Sequence, residues 1–429
     1  MKKKYRIILY TSIFLLCVVA SIILVVKKSN SVYEEESKPK VVKHKSMLSM
    51  NLEQTAGSGD YKTVTQSKWP TEGYKFNAEL SRCENGSTLS WDDTKKAVIV
   101  SGNLSDKCYV YFDIYQPTLA EYIKSQYTGT QGENNIYYHD SDLANGAGDN
   151  SYRYAGANPN NFVCFGSDTS PCPTDNLYRI IGVFGENYHG VTGKQLVKLI
   201  KYDYMTTDEL GTDGDYSQTY KEWGMDSTYK GTYGDGERIG VYYWNYKATG
   251  SATNTWSTSL LNKTNLNTNF INYLGTTWAN KIATVTWKVG GNTRANIGTK
   301  TSSVAYTNEI TNPVTTNTTD NATTYSAKIG LMYVSDYGFA ASPDAWTLTM
   351  SSYNNTTATN NNWMYMGLYE WTISRRADSS DSAFRVYDDG RVDFSGVGYY
   401  NGVRASFNLE SSVSYVSGSG SMSDPIVIN

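Results

Sequence analysis

At 429 residues the chain is long enough for two or three hydrophobic cores, which excludes a single small domain. Its formal net charge of −3 conceals a split: residues 1–45 carry ten Lys/Arg against three Glu, +7, which leaves −10 for residues 46–429. So acidic a remainder is a poor match for nucleic acid or another polyanion, and no nucleic-acid partner is expected, because phosphate binding draws its affinity from clustered Lys and Arg. The 37 Tyr and 10 Trp beside 9 Pro and 3 His describe extended β surfaces meeting water, with most tyrosines in half-buried strands.

Residues 1–6 are a short basic tail, and residues 7–26 (IILYTSIFLLCVVASIILVV) run without a charge between Lys2, Lys3, Lys4 and Arg6 on one side and Lys27 and Lys28 on the other. Twenty helical residues cross about 30 Å of hydrocarbon, so this span is expected to be a single-pass transmembrane anchor. A cleaved signal peptide is the competing reading, against which the run is long and no A-x-A site follows. The basic tail favours the cytoplasm, placing residues 27–429 outside a plasma membrane. Residues 27–66 lack apolar periodicity and are expected to be a flexible linker.

Cys17 lies within the apolar run; the remaining cysteines form two local pairs in a segment expected outside the cytoplasm. Disulfides Cys83–Cys108 and Cys164–Cys172 are expected, each stabilising by roughly 2.5–3.5 kcal/mol in the chain-entropy treatment. Metal ligation is the alternative; no C-x-x-C occurs, and His44, His139 and His189 lie far from the cysteines.

Residues 67–116 alternate in short strands around Glu84-Asn85-Gly86 and Asn103–Asp106, a small stapled β module. Residues 117–429 then follow. Pro117 opens a helix with Leu119, Tyr122 and Ile123 at helical spacing and Gly129 as its stop. Thr130–Asn161 reads as a glycine- and asparagine-rich loop. Leu177–Phe184 and Gln195–Tyr204 form the clearest hairpin of the chain. A second long polar loop, Met205–Thr255, exceeds the length of a simple connection. Trp256–Lys281 spaces Leu260, Leu261, Leu266, Phe270, Tyr273, Leu274, Trp278 and Ile282 as short helices in series, with Gly275 as a C-cap. Strands follow, and the order of elements predicts an α+β domain with long loops.

The stretch Trp363–Leu409 carries the functional expectation. Tyr369, Trp371 and Ile373 alternate with Glu370, Thr372 and Ser374 as a strand with one buried face. Asp388-Asp389-Gly390 is a D-G hairpin turn. Gly398 and Gly402 bracket Tyr399, Tyr400 and Asn401, and Val403, Ala405, Phe407 and Leu409 return to the core. Trp371, Arg375, Arg376, Arg385, Asp388, Asp389, Arg391, Tyr399, Tyr400 and Arg404 are the candidate ligand-binding residues, since aromatic and Arg anchors dominate binding energy. Tyr399 and Tyr400 also suit the apolar face of a sugar. The structural alternative for the arginines is ion pairing with Asp378, Asp381, Asp388, Asp389 and Asp393.

The segments EWTISRR (370–376), FRV (384–386) and GVRASFNL (402–409) resemble the C-terminal part of the C-type-lectin-like fold as used by formylglycine-generating-type domains and bacterial variable ligand-binding proteins. The Cys83–Cys108 segment, NNFVCFGSD (160–168) and the ending SGSGSMSDPIVIN also look like bacterial surface proteins of no established activity. The resemblance covers about 310 residues, but its sharpest motifs only a dozen. It implies a ligand-display scaffold with binding side chains in the late loops, on a bacterial plasma-membrane protein. The enzymes of that group bind copper through a late cysteine pair; no cysteine follows Cys172 here, so the fold carries over and the chemistry does not.

Other chemistries find little footing. No G-x-S-x-G occurs, and neither His139 nor His189 lies near a nucleophile motif. Asp213, Asp215 and Ser217 begin like a calcium loop, yet the sixth position lacks Gly and the twelfth is Gly224, which rejects an EF-hand. Calcium held by scattered Asp and backbone carbonyls stays open; no other cofactor and no metal ligand set is expected. The sequence thus reads as a membrane-anchored, adhesin-like recognition protein for a protein or glycan ligand. The alternatives are a non-catalytic envelope protein and a wall-associated hydrolase, the latter needing carboxylates such as Asp235 or Glu237 brought to Glu370.

Overall fold

The computed structural model describes residues 48–65, 68–70, 73–249, 252–313 and 322–429. Tail 1–6, anchor 7–26 and Cys17 lie outside them; no helix among the described residues is long and apolar enough to cross a membrane. The chain divides between Tyr115 and Gln116 into two compact units.

In the first unit, strand β1 (Leu48–Glu53) pairs antiparallel with β2 (Tyr61–Val64) and parallel with β7 (Cys108–Ile114). The expected linker therefore gives way to sheet over these residues. Strands β3 (Tyr74–Phe76) and β4 (Arg82–Cys83) complete the sheet against β7, and β5 (Thr88–Asp92) forms a hairpin with β6 (Ala97–Ser101). Met50, Leu52, Val110 and Phe112 are buried, and the Phe112 ring meets Trp69, Phe76 and Trp91 at centroid distances of 5.8, 5.9 and 5.7 Å. The Asp106 carboxylate ties down the Glu84-Asn85-Gly86 turn, accepting from the backbone N–H of Asn85 at 2.9 Å and of Ser87 at 3.1 Å.

Both disulfides form, Cys83–Cys108 across paired strands and Cys164–Cys172 within a local loop. With so few buried side chains, the first unit depends on its bridge. Replacing Cys83 and Cys108 by Ser is expected to remove about 3.5 kcal/mol, the loop-closure value for a separation of 25 residues. Limited proteolysis of the full chain should then cut first within residues 48–115; unchanged protection of that segment would refute the dependence.

In the second unit the expected hairpin is the centre of an antiparallel sheet. Strand β11 (Leu177–Phe184) pairs with β12 (Leu196–Lys201) in the register Tyr178↔Lys201 to Phe184↔Leu196, with a bulge between Ile180 and Gly182. Every residue of both strands is buried, so the sheet is covered on both faces. Outward from β12 come β22 (Ser406–Asn408) and β17 (Ile329–Gly330); outward from β11 come β9 (Ser151–Tyr154) and β8 (Ile136–His139), with β10 (Phe162–Cys164) on its other segment. Strands β8 and β9 occupy the expected glycine-rich loop. The first helix spans Leu119–Ser125 with Thr118, not Pro117, opening it, and Thr118 and Glu121 form a capping box.

The expected α+β class is overturned, and with it the implied C-type-lectin-like layout: 32% of the described residues are strand and 21% helical. Most helices are single turns, because the apolar spacing that suggests them is interrupted within a few residues by Gly, Asn and Thr. The longest helical stretch does lie where expected: Leu261–Phe270 and Ile271–Ala279 bury Leu261, Leu266, Phe270, Leu274 and Trp278, while Leu260 and Tyr273 face outward.

Two small sheets position the late segment. Strand β18 (Glu370–Arg375) pairs with β19 (Ser382–Val386), which pairs with β20 (Val392–Gly396) across the D-G turn. Strand β13 (Tyr216–Thr219) pairs with β14 (Gly240–Tyr243), which in turn pairs with β21 (Tyr400–Asn401) in the register Tyr243↔Tyr400. The second long loop is thus a folded layer laid against residues 400 and 401.

Candidate functional site

A surface cleft of about 460 Å³ opens where β21, the turn after β13 and the approach to β18 meet, lined by Tyr220, Trp223, Asp226, Tyr369, Arg385, Tyr399 and Tyr400 among others. A capping box between Thr219 and Glu222 sets the single helical turn Tyr220–Trp223 that presents Trp223. The Trp223 ring lies 5.5 Å from Tyr369 and 5.3 Å, edge to face, from Tyr400; Tyr400 also meets Tyr243 edge to face at 5.7 Å. Tyr399 is 65% exposed at the rim.

The segments that carry Asp226 and Leu368 into the cleft are joined just beyond it. Residues 228–230 are zipped to residues 366–367 by the Thr228 hydroxyl donating to the Gly367 carbonyl at 2.6 Å and the Lys230 N–H donating to the Met366 carbonyl at 3.0 Å. Gly367 takes φ +83°, and a Cβ there would lie 1.9 Å from the Thr228 carbonyl oxygen, so only glycine permits the crossing.

Arg385 is the cationic centre. Its guanidinium lies 4.6 Å from the Tyr369 ring and 4.3 Å from the Tyr387 ring, and Nη1 donates to Asn401 Oδ1 at 2.8 Å. The Arg385 Nε and Asn401 Nδ2 are buried with no hydrogen-bond partner among the described residues. At the edge of the cleft the Asp226 and Asp388 carboxylates lie beside each other. Burial, then the Asp226 carboxylate, raise the pKa of Asp388, while the Thr228 backbone N–H lowers that of Asp226.

Of the expected site residues, Arg385, Tyr399 and Tyr400 line the cleft and Asp388 adjoins it through Asp226. Asp389 and Arg391 pair with each other at 2.5 Å across the turn, Arg391 resting on the Tyr387 ring. Arg376 chelates Asp378 and lies on Phe394. Three are structural. Trp371 is fully buried with Nε1 donating to the Tyr242 carbonyl at 2.8 Å, and Arg375 is buried with Nε donating to the Val289 carbonyl at 3.1 Å. Arg404 is buried and grips Glu370 with Nε and Nη2 at 2.8 and 2.9 Å. Strand β18 has both faces covered, so the expected exposed face does not exist. Trp223, Tyr220, Asp226 and Tyr369 were absent from the expectation; a Trp beside a Thr-x-x-Glu box in a polar stretch was the available signal.

The carboxylates considered for hydrolysis do not converge: Glu370 is held by Arg404, and Glu237 pairs with Lys221 at the surface. Among the described residues no group of three His, Cys, Asp or Glu could hold a metal ion. His139 is fully buried, its Nδ1 accepting from the Ala147 N–H at 3.0 Å; burial lowers its pKa well below the usual range, which makes it a core imidazole.

No family model matches the chain, and neither the curated proteins nor the solved structures contain a match. The site's own chemistry therefore carries the functional reading.

Proposed function

We propose that residues 116–429 form a recognition domain that binds a glycan in the aromatic cleft, displayed outside the plasma membrane by an anchor at residues 7–26. The observation that supports it is the convergence of Trp223, Tyr369, Tyr399 and Tyr400 on one cleft beside Arg385 and the Asp226–Asp388 pair. Flat rings bury the apolar face of a pyranose, and the charged groups supply donors and acceptors for its hydroxyls. A protein ligand would use the same anchors.

A hydrolytic role has weaker support. Carboxylates that flank a glycosidic bond stand about 5–9.5 Å apart with room for the bond between them, whereas Asp226 and Asp388 adjoin each other.

The test is a glycan array with the full chain in detergent micelles, followed by titration of the best ligand. Tyr399→Ala is expected to weaken binding about 5- to 30-fold, the loss of one stacking ring worth roughly 1–2 kcal/mol. Tyr399 is exposed, so the substitution leaves the fold intact. Undiminished binding by both Tyr399→Ala and Trp223→Ala, with unchanged thermal unfolding, would refute the assignment.

A further inference from the structure

A second cavity, of about 380 Å³, is lined by Asn158, Arg179, Lys230, Asn362, Trp363 and Tyr365 among others. It contains two cations, and no carboxylate among the described residues lines it.

Arg179 is 5% exposed, with its guanidinium between two rings, 4.1 Å from Phe162 and 4.7 Å from Trp363. Nε donates to Asn161 Oδ1 at 2.6 Å and Nη2 to the Pro159 carbonyl at 3.1 Å. Nη1 has no partner among the described residues, and no ion pair compensates the charge. Every other arginine buried this deeply, except Arg375, faces a carboxylate: Arg153 has Asp149 and Arg404 has Glu370. Desolvation, with the like charge of Arg404, pulls the Arg179 pKa downward.

Lys230 is the second cation. Its Nζ lies 4.4 Å over the Tyr365 ring and donates to the Thr359 carbonyl at 3.3 Å; among the described residues it too has no ion-pair partner. Burial lowers its pKa as well. A buried guanidinium without a counter-charge is unfavourable, and an anion in the cavity would relieve it while also meeting the more exposed Lys230 ammonium. The stacked, hydrogen-bonded guanidinium is held in place before any ligand arrives, so little ordering entropy is lost on binding.

We propose that this cavity binds a small oxyanion group, a carboxylate or a sulfate or phosphate ester, between the Arg179 guanidinium and the Lys230 ammonium. Asn158 and Asn360 border it with polar groups, and the Trp363 ring backs the guanidinium. The site does not depend on the aromatic cleft being a glycan site.

The experiment is calorimetric titration of the full chain in detergent micelles with sodium sulfate, sodium phosphate and sodium glucuronate. Ionic strength is held constant with sodium chloride, and glucose serves as the neutral control. Saturable binding of at least one of the three anions is expected, with none of glucose, and the strongest arm identifies the group. Lys230→Met is expected to weaken that binding about fivefold or more, and Arg179→Met further still. Lys230 is exposed, so its variant tests the site even if Arg179→Met fails to fold. Tyr399→Ala should leave anion binding unchanged, which separates this site from the cleft. No saturable anion binding, or full-strength binding in Lys230→Met, would overturn the proposal.

Discussion

Arg404→Met is expected to destabilise the second unit by about 3–5 kcal/mol, the usual loss when one partner of a buried ion pair is removed. The side chains of Arg404 and Glu370 are 1% and 2% exposed, so the substitution strands a carboxylate where water cannot reach it. The loss has a second part. Nη2 of Arg404 also donates to the Met364 carbonyl at 2.6 Å, fastening the segment that leads from Trp363 to Glu370. That segment supplies a wall of both cavities, so ligand binding at each should weaken together. Equilibrium urea denaturation measures the stability change. The double variant Arg404→Met with Glu370→Leu should recover much of it, since no charge is then left uncompensated. A single-variant loss below about 1 kcal/mol would show the pair to be solvated.

Asp336→Asn is expected to be at least as severe, about 4–5 kcal/mol, and more severe than Lys198→Met. Asp336 accepts from Lys198 Nζ and Tyr188 Oη, each at 2.7 Å, and from the Tyr333 N–H at 2.9 Å, with Arg153 Nη1 at 3.9 Å. Lys198 sits in the middle of β12 and is fully buried, so the aspartate fastens the central sheet to the helix Val334–Ala340. Its loss leaves Lys198 with only the Tyr188 hydroxyl, at 2.6 Å, and removes one of two carboxylates near Arg153. Losing Lys198 instead leaves Asp336 with Tyr188, the backbone and Arg153. Thermal unfolding of the two single variants gives the order, and Lys198→Met proving the worse would refute this account.

These pairs mark what the sequence conveyed and what it hid. The hairpin β11–β12 was legible because its apolar runs are long and bounded by turn residues, and the β19–β20 hairpin because Asp-Gly sets such turns. The helical stretch 261–279 announced itself through apolar spacing. The role of Arg404 was not legible. A period-2 pattern separates the faces of a strand but cannot tell a polar face in water from one buried against distant partners. In β18 the polar face meets Arg404, Glu309 and the Phe384 carbonyl, and these contacts exist only once the fold has formed. The aromatic cleft was half legible. Tyr399 and Tyr400 stood out between glycines, whereas Trp223 reaches them only because β14 pairs with β21, a contact between residues more than 150 positions apart. Strands of four and two residues leave no periodic trace.

The crossing at Gly367 divides the molecule for anyone wishing to re-engineer it. Trp223, Asp226 and Tyr369 on one side of the knot, and Lys230 and Tyr365 on the other, project from two strips of chain whose courses are fixed by Thr228, Gly367 and Arg404. The lining is thus an interchangeable alphabet and the knot its grammar. Libraries that vary the first five positions while keeping the last three would explore new ligands on an unaltered frame, whereas a side chain at position 367 would unseat both cavities in one step.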